Sequence, residues 1–279
     1  MIRKDFPALR EHYFEETLEN GLVVRVVPRP GFAKKFAFLA ADFGSIDMRF
    51  SFDGRNYAVP AGVAHYLEHK MFDLPEGNAM EIYAKYGGSN NAFTNYTMTA
   101  YYVECTDCFE ENLQTLLRMV MTPYFTDESV EKERGIIEQE IRMYEDSAGS
   151  ACFENLFAAM YGSHPARIPI CGTVESIAEI TPETLYACHK AFYDPANMML
   201  CVVGDVDPER VAELARQHTP KGTKKRAVRD YGAQEPMTCP QPVVRRQMEV
   251  SMPTFAIGFK CPPASGGAEA ERLELIGDL

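Results

Sequence analysis

The chain is short of positive charge. It sets 28 Lys and Arg against 40 Asp and Glu, a formal net charge of -12. Phosphate backbones are held by a basic footprint that this balance does not supply, so nucleic acid is not an expected partner. A basic or polar extended ligand is better received. Long apolar runs are missing as well: no stretch approaches the roughly 20 residues that cross a bilayer, so no membrane insertion is expected. The opening MIRKDFPALREHYFEE has basic residues but lacks the apolar run of a secretory signal. A soluble, cytoplasmic protein is the expectation. There is no short-period repeat, which sets aside solenoid architectures. Tryptophan is absent too, and that excludes nothing.

Cysteine is not scarce, but it is not arranged as a framework. Eight cysteines in 279 residues do not staple a small domain, and Cys188 in YACHKAF and Cys201 in MMLCVVG read as core. Cys105 and Cys108 form a CxxC with no second pair at zinc-finger spacing, so a structural role outweighs a redox or metal one.

With 46% hydrophobic residues, the chain can bury one large domain, or one domain and part of another. Its most informative stretch is PAGVAHYLEHKMF, residues 60–72. In a helix, His65 and His69 lie one turn apart on one face, where two imidazole nitrogens can converge on a metal ion. Glu68 adjoins the second histidine, so the order is HxxEH, the reverse of HExxH, with the same delivery of two ligands and a nearby base. The flanking residues Gly62, Val63, Ala64, Leu67, Met71 and Phe72 are mostly apolar. Imidazoles and a carboxylate in such a setting need a partner, and a divalent cation is one.

A third ligand is sought next. Over residues 127–146 an apolar stripe includes Val130, Ile136, Ile137, Ile141 and Tyr144. Glu133 and Glu140, seven residues apart, fall on or beside it, whereas Glu131, Glu138 and Glu145 can be solvated. Glu133 and Glu140 are therefore the candidates for a metal site.

The remaining landmarks read in order. FEETL, Asn20-Gly21, LVVRVVP and KFAFLAADFGS predict a meander of about three strands. A short helix is expected over 78–86, one or two strands over SNNAFTNYTMTAYYVEC, and three helices between Cys108 and about Ala159. Thr181-Pro182-Glu183 opens another helix, MMLCVVGDV is an apolar strand, and Asp207-Pro208-Glu209 starts the helix after it. Residues 217–242 read as a linker. VVRRQMEVSM and TFAIGFK then predict two new strands, and GGAEAERLELIGDL a helix. Strands in a meander and helices in a block give an α+β fold, an antiparallel sheet backed by helices. The domain boundary is placed near residue 235, dividing 1–235 from a segment 236–279 that reads as the start of a second, similar domain.

At this level the chain resembles the M16 metallopeptidases, the inverzincin family that includes insulin-degrading enzyme and pitrilysin. HYLEHKMF resembles the family's HxxEH helix, GSNNAFTNYTMTAYYVE the strand region after it, and ERGIIEQEIRMYED the helix that brings a glutamate ligand. YGSHPARIPICGTVESI and FYDPANMMLCVVGDVD resemble later landmarks, so the likeness runs from about residue 13 to 215. The resemblance implies a zinc endopeptidase in which His65, His69 and Glu140 hold Zn2+ and Glu68 is the general base. Glu133 is implied as a second acidic, catalytic-site residue. The gap from His69 to Glu140 is somewhat shorter than in well-known members, which reads as a loop difference. The likeness further implies a sheet edge on which a peptide substrate pairs, with Asn91, Ala92 and Thr94 as substrate-binding residues. Asn91 reads equally well as a turn-closing asparagine. A second M16-like half or subunit is an implied partner, and residues 1–279 alone are expected to bind zinc but cleave poorly. Two other readings remain: a metal-bound, non-catalytic scaffold in a processing or modification complex, and a structural zinc site. The last is disfavoured because structural sites close with four strong ligands, often cysteine.

Overall fold

The computed structural model describes residues 1–262, 264 and 266–277. Strands come first: β1 (Ile2–Phe6), β2 (Glu11–Thr17), β3 (Val23–Pro28), β4 (Lys35–Ala41), and a hairpin of β5 (Arg49–Phe52) and β6 (Arg55–Ala58). Next are α1 (Val63–Lys70), a small ladder of β7 (Asp73–Leu74) with β8 (Gly77–Asn78), then α2 (Ala79–Lys85), β9 (Ser89–Thr94) and β10 (Thr99–Cys105). The helical block is α3 (Phe109–Met121), α4 (Asp127–Asp146), α5 (Ala148–Met160), α6 (Val174–Ala178) and α7 (Pro182–Phe192). The strand β11 (Met198–Gly204), the helix α8 (Pro208–His218), the short β12 (Val228–Arg229) and α9 (Gly267–Gly277) complete the order.

Helix starts are set locally. The Asn78 side chain accepts from Met80 N–H, Thr126 and Ser129 form a reciprocal capping box, and Thr181 caps α7 with Pro182 in the first turn. Asn78 and Thr181 are positions where the sequence placed helix starts.

Seven strands form one sheet in the order β1-β2-β3-β11-β4-β10-β9. Every pair is antiparallel except β11 with β3, which is parallel. The α+β class stands, but the expected meander does not. β3 and β4 are separated by β11, a strand from far along the chain. The reason lies in β11 itself: Met198, Leu200 and Val202 are buried on one face, while Met199, Cys201 and Val203 are half-buried on the other. A strand apolar on both faces gains most in the sheet centre. β1 had no sequence signal because all five of its residues are exposed; its ladder with β2 is what holds it.

One face of the sheet carries the core, with Val24, Val26, Ala37, Leu39, Tyr101, Val103, Leu200 and Val202 buried. Helices α1, α3 and α8 pack against it. On the opposite face the rings of Phe36, Phe38, Tyr102 and Phe93 form a row with centroids 5.5, 6.1 and 6.3 Å apart.

After α8 the chain crosses back with little regular structure, as the linker composition predicts. Arg229 Nε donates to the buried Asp47 at 2.8 Å, and Tyr231 OH donates to the same oxygen at 2.9 Å. Glu235 accepts from the backbone N–H groups of Gly162, Ser163 and His164. The two strands expected over 243–252 and 254–260 are not formed. Val243 and Phe259 there are 68% and 83% exposed. A strand needs a ladder partner, and an isolated pair is marginal in water however favourable its residues. The helix expected after them appears as α9, and its last two residues lie outside the described residues.

Candidate functional site

The helix α1 begins where Gly62 adopts a positive φ of 89°, turning the chain from the β6 side into the core. Val63, Ala64, Tyr66 and Leu67 are buried. Two donors dock α1 onto the first turn of α4: Tyr66 OH donates to the Val130 carbonyl and Lys70 Nζ to the Ser129 carbonyl. This contact fixes the histidine face of α1 against the glutamates of α4. Val130, Ile137 and Ile141 are the buried residues of α4, a stripe narrower than the sequence suggested. Ile136 and Tyr144 are 48% and 37% exposed, because only one line of the helix meets the core.

Four of the expected residues come together at this junction. Glu140 Oε2 lies 3.6 Å from His65 Nε2 and 3.4 Å from His69 Nε2. Neighbouring donors around one tetrahedral zinc, with bonds of about 2.0–2.1 Å, sit about 3.4 Å apart. Each imidazole therefore stands from the Glu140 carboxylate at a separation close to that of two ligands on one ion, and the donor types suit zinc. Glu133 lies on the far side of the second imidazole, with Oε1 2.9 Å from His69 Nδ1. It stands on the side of the His69 ring away from Glu140. His65 Nδ1 is buried with no hydrogen-bond partner.

The charges are organised accordingly. Hydrogen bonds from His65 and His69 hold the Glu140 carboxyl well below the usual carboxylate range, against the effect of burial. Burial works to lower the His69 pKa, but hydrogen bonds and charge from Glu133 and Glu140 outweigh it and push the imidazole up to about 9. Burial pushes Glu68 up, with a hydrogen bond from Thr94 acting in the other direction. Two anions and two imidazoles in one partly buried cluster favour a cation between them.

Among the described residues the strand β9 is the outer strand of the sheet at this end, paired through β10. It lines a cleft of about 460 Å³ together with His65, Glu68, His69 and Glu140. Of the expected substrate-binding residues, Asn91 is exposed and its Oδ1 accepts from the Ala92 N–H at 2.8 Å. Ala92 is partly buried against the core. Thr94 donates to Glu68 Oε2 at 2.5 Å, so its hydroxyl is committed to that carboxylate. A larger groove of about 880 Å³, between α5 and residues 239–258, shares no lining residue with the cleft.

Sequence reasoning passed over Cys171, Phe153 and Glu154, which also line the cleft. Cys171 Sγ lies 3.9 Å from His65 Nε2, and burial pushes its thiol up to about 12. No spacing rule ties residue 171 to residue 65; only the packing of α6 against the start of α1 does. All eight cysteines are free, and Cys105 is buried while Cys108 is exposed at the start of α3.

Comparison with known proteins follows the same lines. Over 282 aligned residues the chain is 41% identical to the uncharacterized zinc protease YmfH of Bacillus subtilis, covering 99% of this chain and 65% of that protein. A crystal structure from Alicyclobacillus acidocaldarius, of a protein classed as an M16-like peptidase, superposes with a TM-score of 0.79 at 39% identity. That likeness covers 85% of this chain and 56% of the other. The first half of the periplasmic protease PqqL from Escherichia coli gives a TM-score of 0.63 at 25% identity, over 80% of this chain and 49% of that one. The chain thus spans 65% of the length of YmfH and about half of the two solved structures. The insulinase (peptidase family M16) model matches residues 55–174, the stretch holding both histidines and both glutamates. The M16 inactive-domain model follows at residues 179–279, and the chain belongs to the M16 peptidase family.

Proposed function

We propose that the protein is a zinc-dependent endopeptidase. His65, His69 and Glu140 are the metal ligands, Glu68 is the general base and Glu133 orients His69. The observation that carries the reading is the position of Glu140 Oε2 within 3.6 Å of one Nε2 and 3.4 Å of the other, on helices docked by Tyr66 and Lys70. Zinc held there would supply a Lewis acid able to acidify water and polarise an amide carbonyl. Glu68, buried and held by Thr94, is placed to accept a proton and return it to the leaving amine. Glu133 fixes the His69 ring so that Nε2 faces Glu140.

The substrate in this reading is a peptide in extended form. β9 is an outer strand beside the base, so a peptide can add to it by main-chain hydrogen bonds, with Asn91 and Ala92 at the junction. A second M16-like half or subunit completes the working enzyme, with the boundary near residue 235. Supporting this, the chain spans 65% of YmfH, and residues 243–260 carry exposed apolar side chains without a ladder partner. A cytoplasmic setting is part of the proposal; free cysteines throughout accord with a reducing compartment.

Metal analysis and peptide cleavage test the reading together. One zinc per chain is expected in the wild type, lost in His69→Ala and Glu140→Gln and kept in Glu68→Gln. Cleavage is expected only with the second half present and is lost in Glu68→Gln. Zinc bound without cleavage in any pairing would favour a metal-bound scaffold, and no zinc at all would overturn the site.

A further inference from the structure

We propose that Cys171 is a fourth metal ligand, whose sulfur closes the set of His65, His69 and Glu140 in the resting protein. This rests on the metal site proposed above. The Cys171 Sγ, a His65 nitrogen and a Glu140 oxygen all lie within 4.8 Å of one another, and His69 joins this group through Glu140, its Nε2 3.4 Å from Oε2. With a zinc–sulfur bond of about 2.3 Å and a zinc–nitrogen bond of about 2.0–2.1 Å, tetrahedral neighbours stand about 3.6 Å apart. The observed Sγ to Nε2 separation is 3.9 Å, a few tenths of an ångström above that value for the His65 pair.

The loop that carries the thiol is fixed against the start of α1. A Cβ on Gly62 would stand 2.4 Å from the Cys171 carbonyl oxygen, and one on Gly172 would stand 2.5 Å from the Ala61 carbonyl oxygen. Both glycines have positive φ, at 89° and 74°. Ser176 Oγ also donates to the Ala61 carbonyl at 2.9 Å. Two backbones in this contact leave no room for a side chain at either glycine, and the arrangement sets Cys171 beside the helix that begins two residues before His65. The donor chemistry agrees, because thiolate and imidazole are both good zinc ligands.

Ligation breaks the S–H bond, forms a sulfur–metal bond and releases the proton to solvent, with no change in oxidation state. Four protein ligands give a closed site, whereas hydrolysis needs an open position. With zinc bound, a substrate would reach the metal where Cys171 leaves it, the thiolate taking back a proton. The thiol acts as an internal gate on the metal.

Cobalt substitution tests this without reference to catalysis. The full-length protein is loaded with Co2+ as wild type, Cys171→Ser, Cys171→Ala and the control Cys108→Ser, and absorption is recorded. A sulfur-to-cobalt charge-transfer band in the near ultraviolet is expected in wild type and Cys108→Ser. Its loss is expected in both Cys171 variants, with the visible cobalt bands retained as evidence of folding and metal binding. Visible bands with no sulfur band in the wild type, or a sulfur band that survives in the Cys171 variants, would overturn the thiolate ligand alone. A wild-type protein that binds no cobalt or zinc would overturn the underlying metal site as well.

Discussion

The carboxylate of Glu133 lies 2.9 Å from Nδ1 of His69, so that the opposite nitrogen of the same ring faces Glu140 at 3.4 Å. One imidazole is thus held between two glutamates seven residues apart on α4. A ring fixed through its second nitrogen keeps one tautomer and one orientation, which is how an outer carboxylate strengthens a histidine ligand.

Replacing Glu133 should therefore act on the metal and leave the fold intact. Glu133→Ala is expected to weaken zinc binding by about 10–100-fold, measured by competition with a chromophoric chelator. An affinity equal to wild type would remove the positioning role.

Thr94 should control the pH at which Glu68 works. Its hydroxyl donates to the ionised carboxylate, and burial already raises that group above its ordinary range. Thr94→Val removes a bond that favours the charged form, so the Glu68 pKa rises further and the base is ionised only at higher pH. The acidic limb of the kcat/KM profile of the completed enzyme should move upward in pH, with the plateau less affected. A limb that stays in place, or moves down, would contradict the link.

Gly62 should tolerate no side chain. A Cβ there would approach the Cys171 carbonyl oxygen to 2.4 Å, and the residue sits at a φ of 89°. The left-handed backbone costs an L-residue roughly 1–2 kcal/mol and overpacking roughly 1–3 more. Gly62→Ala is expected to lose roughly 2 kcal/mol or more, read from urea denaturation midpoints. Gly31→Ala is the informative comparison, since its φ is 82° but nothing lies within 4 Å. It should lose only the backbone part.

His189 should make the fold acid-sensitive. It lies in α7, 9% exposed, with Nε2 3.1 Å from the Val120 carbonyl. Burial pulls its pKa down to about 4, and the hydrogen bond to Val120 offsets this only in part. The unfolded chain titrates near 6.5, so above that pH His189 is neutral in both states and costs nothing. Between about 6.5 and 4 the unfolded state binds the extra proton, and stability falls by up to about 1.4 kcal/mol per pH unit. The total loss is roughly 3 kcal/mol. His189→Gln should flatten the dependence of urea midpoints on pH across that window. A slope identical to wild type would assign acid sensitivity elsewhere.

Much of the site was legible because it is carried by local spacing. His65 and His69 are one turn apart in any helix, and Glu133 and Glu140 are two turns apart, so their pairing on common faces follows from the backbone. The place of Glu133 was legible only in part: the sequence set it beside the candidate metal site, and the packing put its carboxylate at Nδ1 of His69. Thr94 was expected at the peptide and is bonded to Glu68. Helix starts at Asn78, Thr181 and Asp207 were readable because a cap acts within four residues.

The sequence by itself determined the elements with local causes: the caps, the glycine-turned start of α1, the two-sided apolar character of β11 and the HxxEH face. Tertiary structure alone decided which strands became neighbours, since hydrogen-bonding groups are alike at every residue and only burial of the whole sheet ranks the possible orders. It inserted β11 between β3 and β4, left residues 243–260 without a ladder, and brought Cys171 to His65 across 106 positions of chain. Contacts of that kind are selected by the fit of packed surfaces, and no short window of sequence contains both partners.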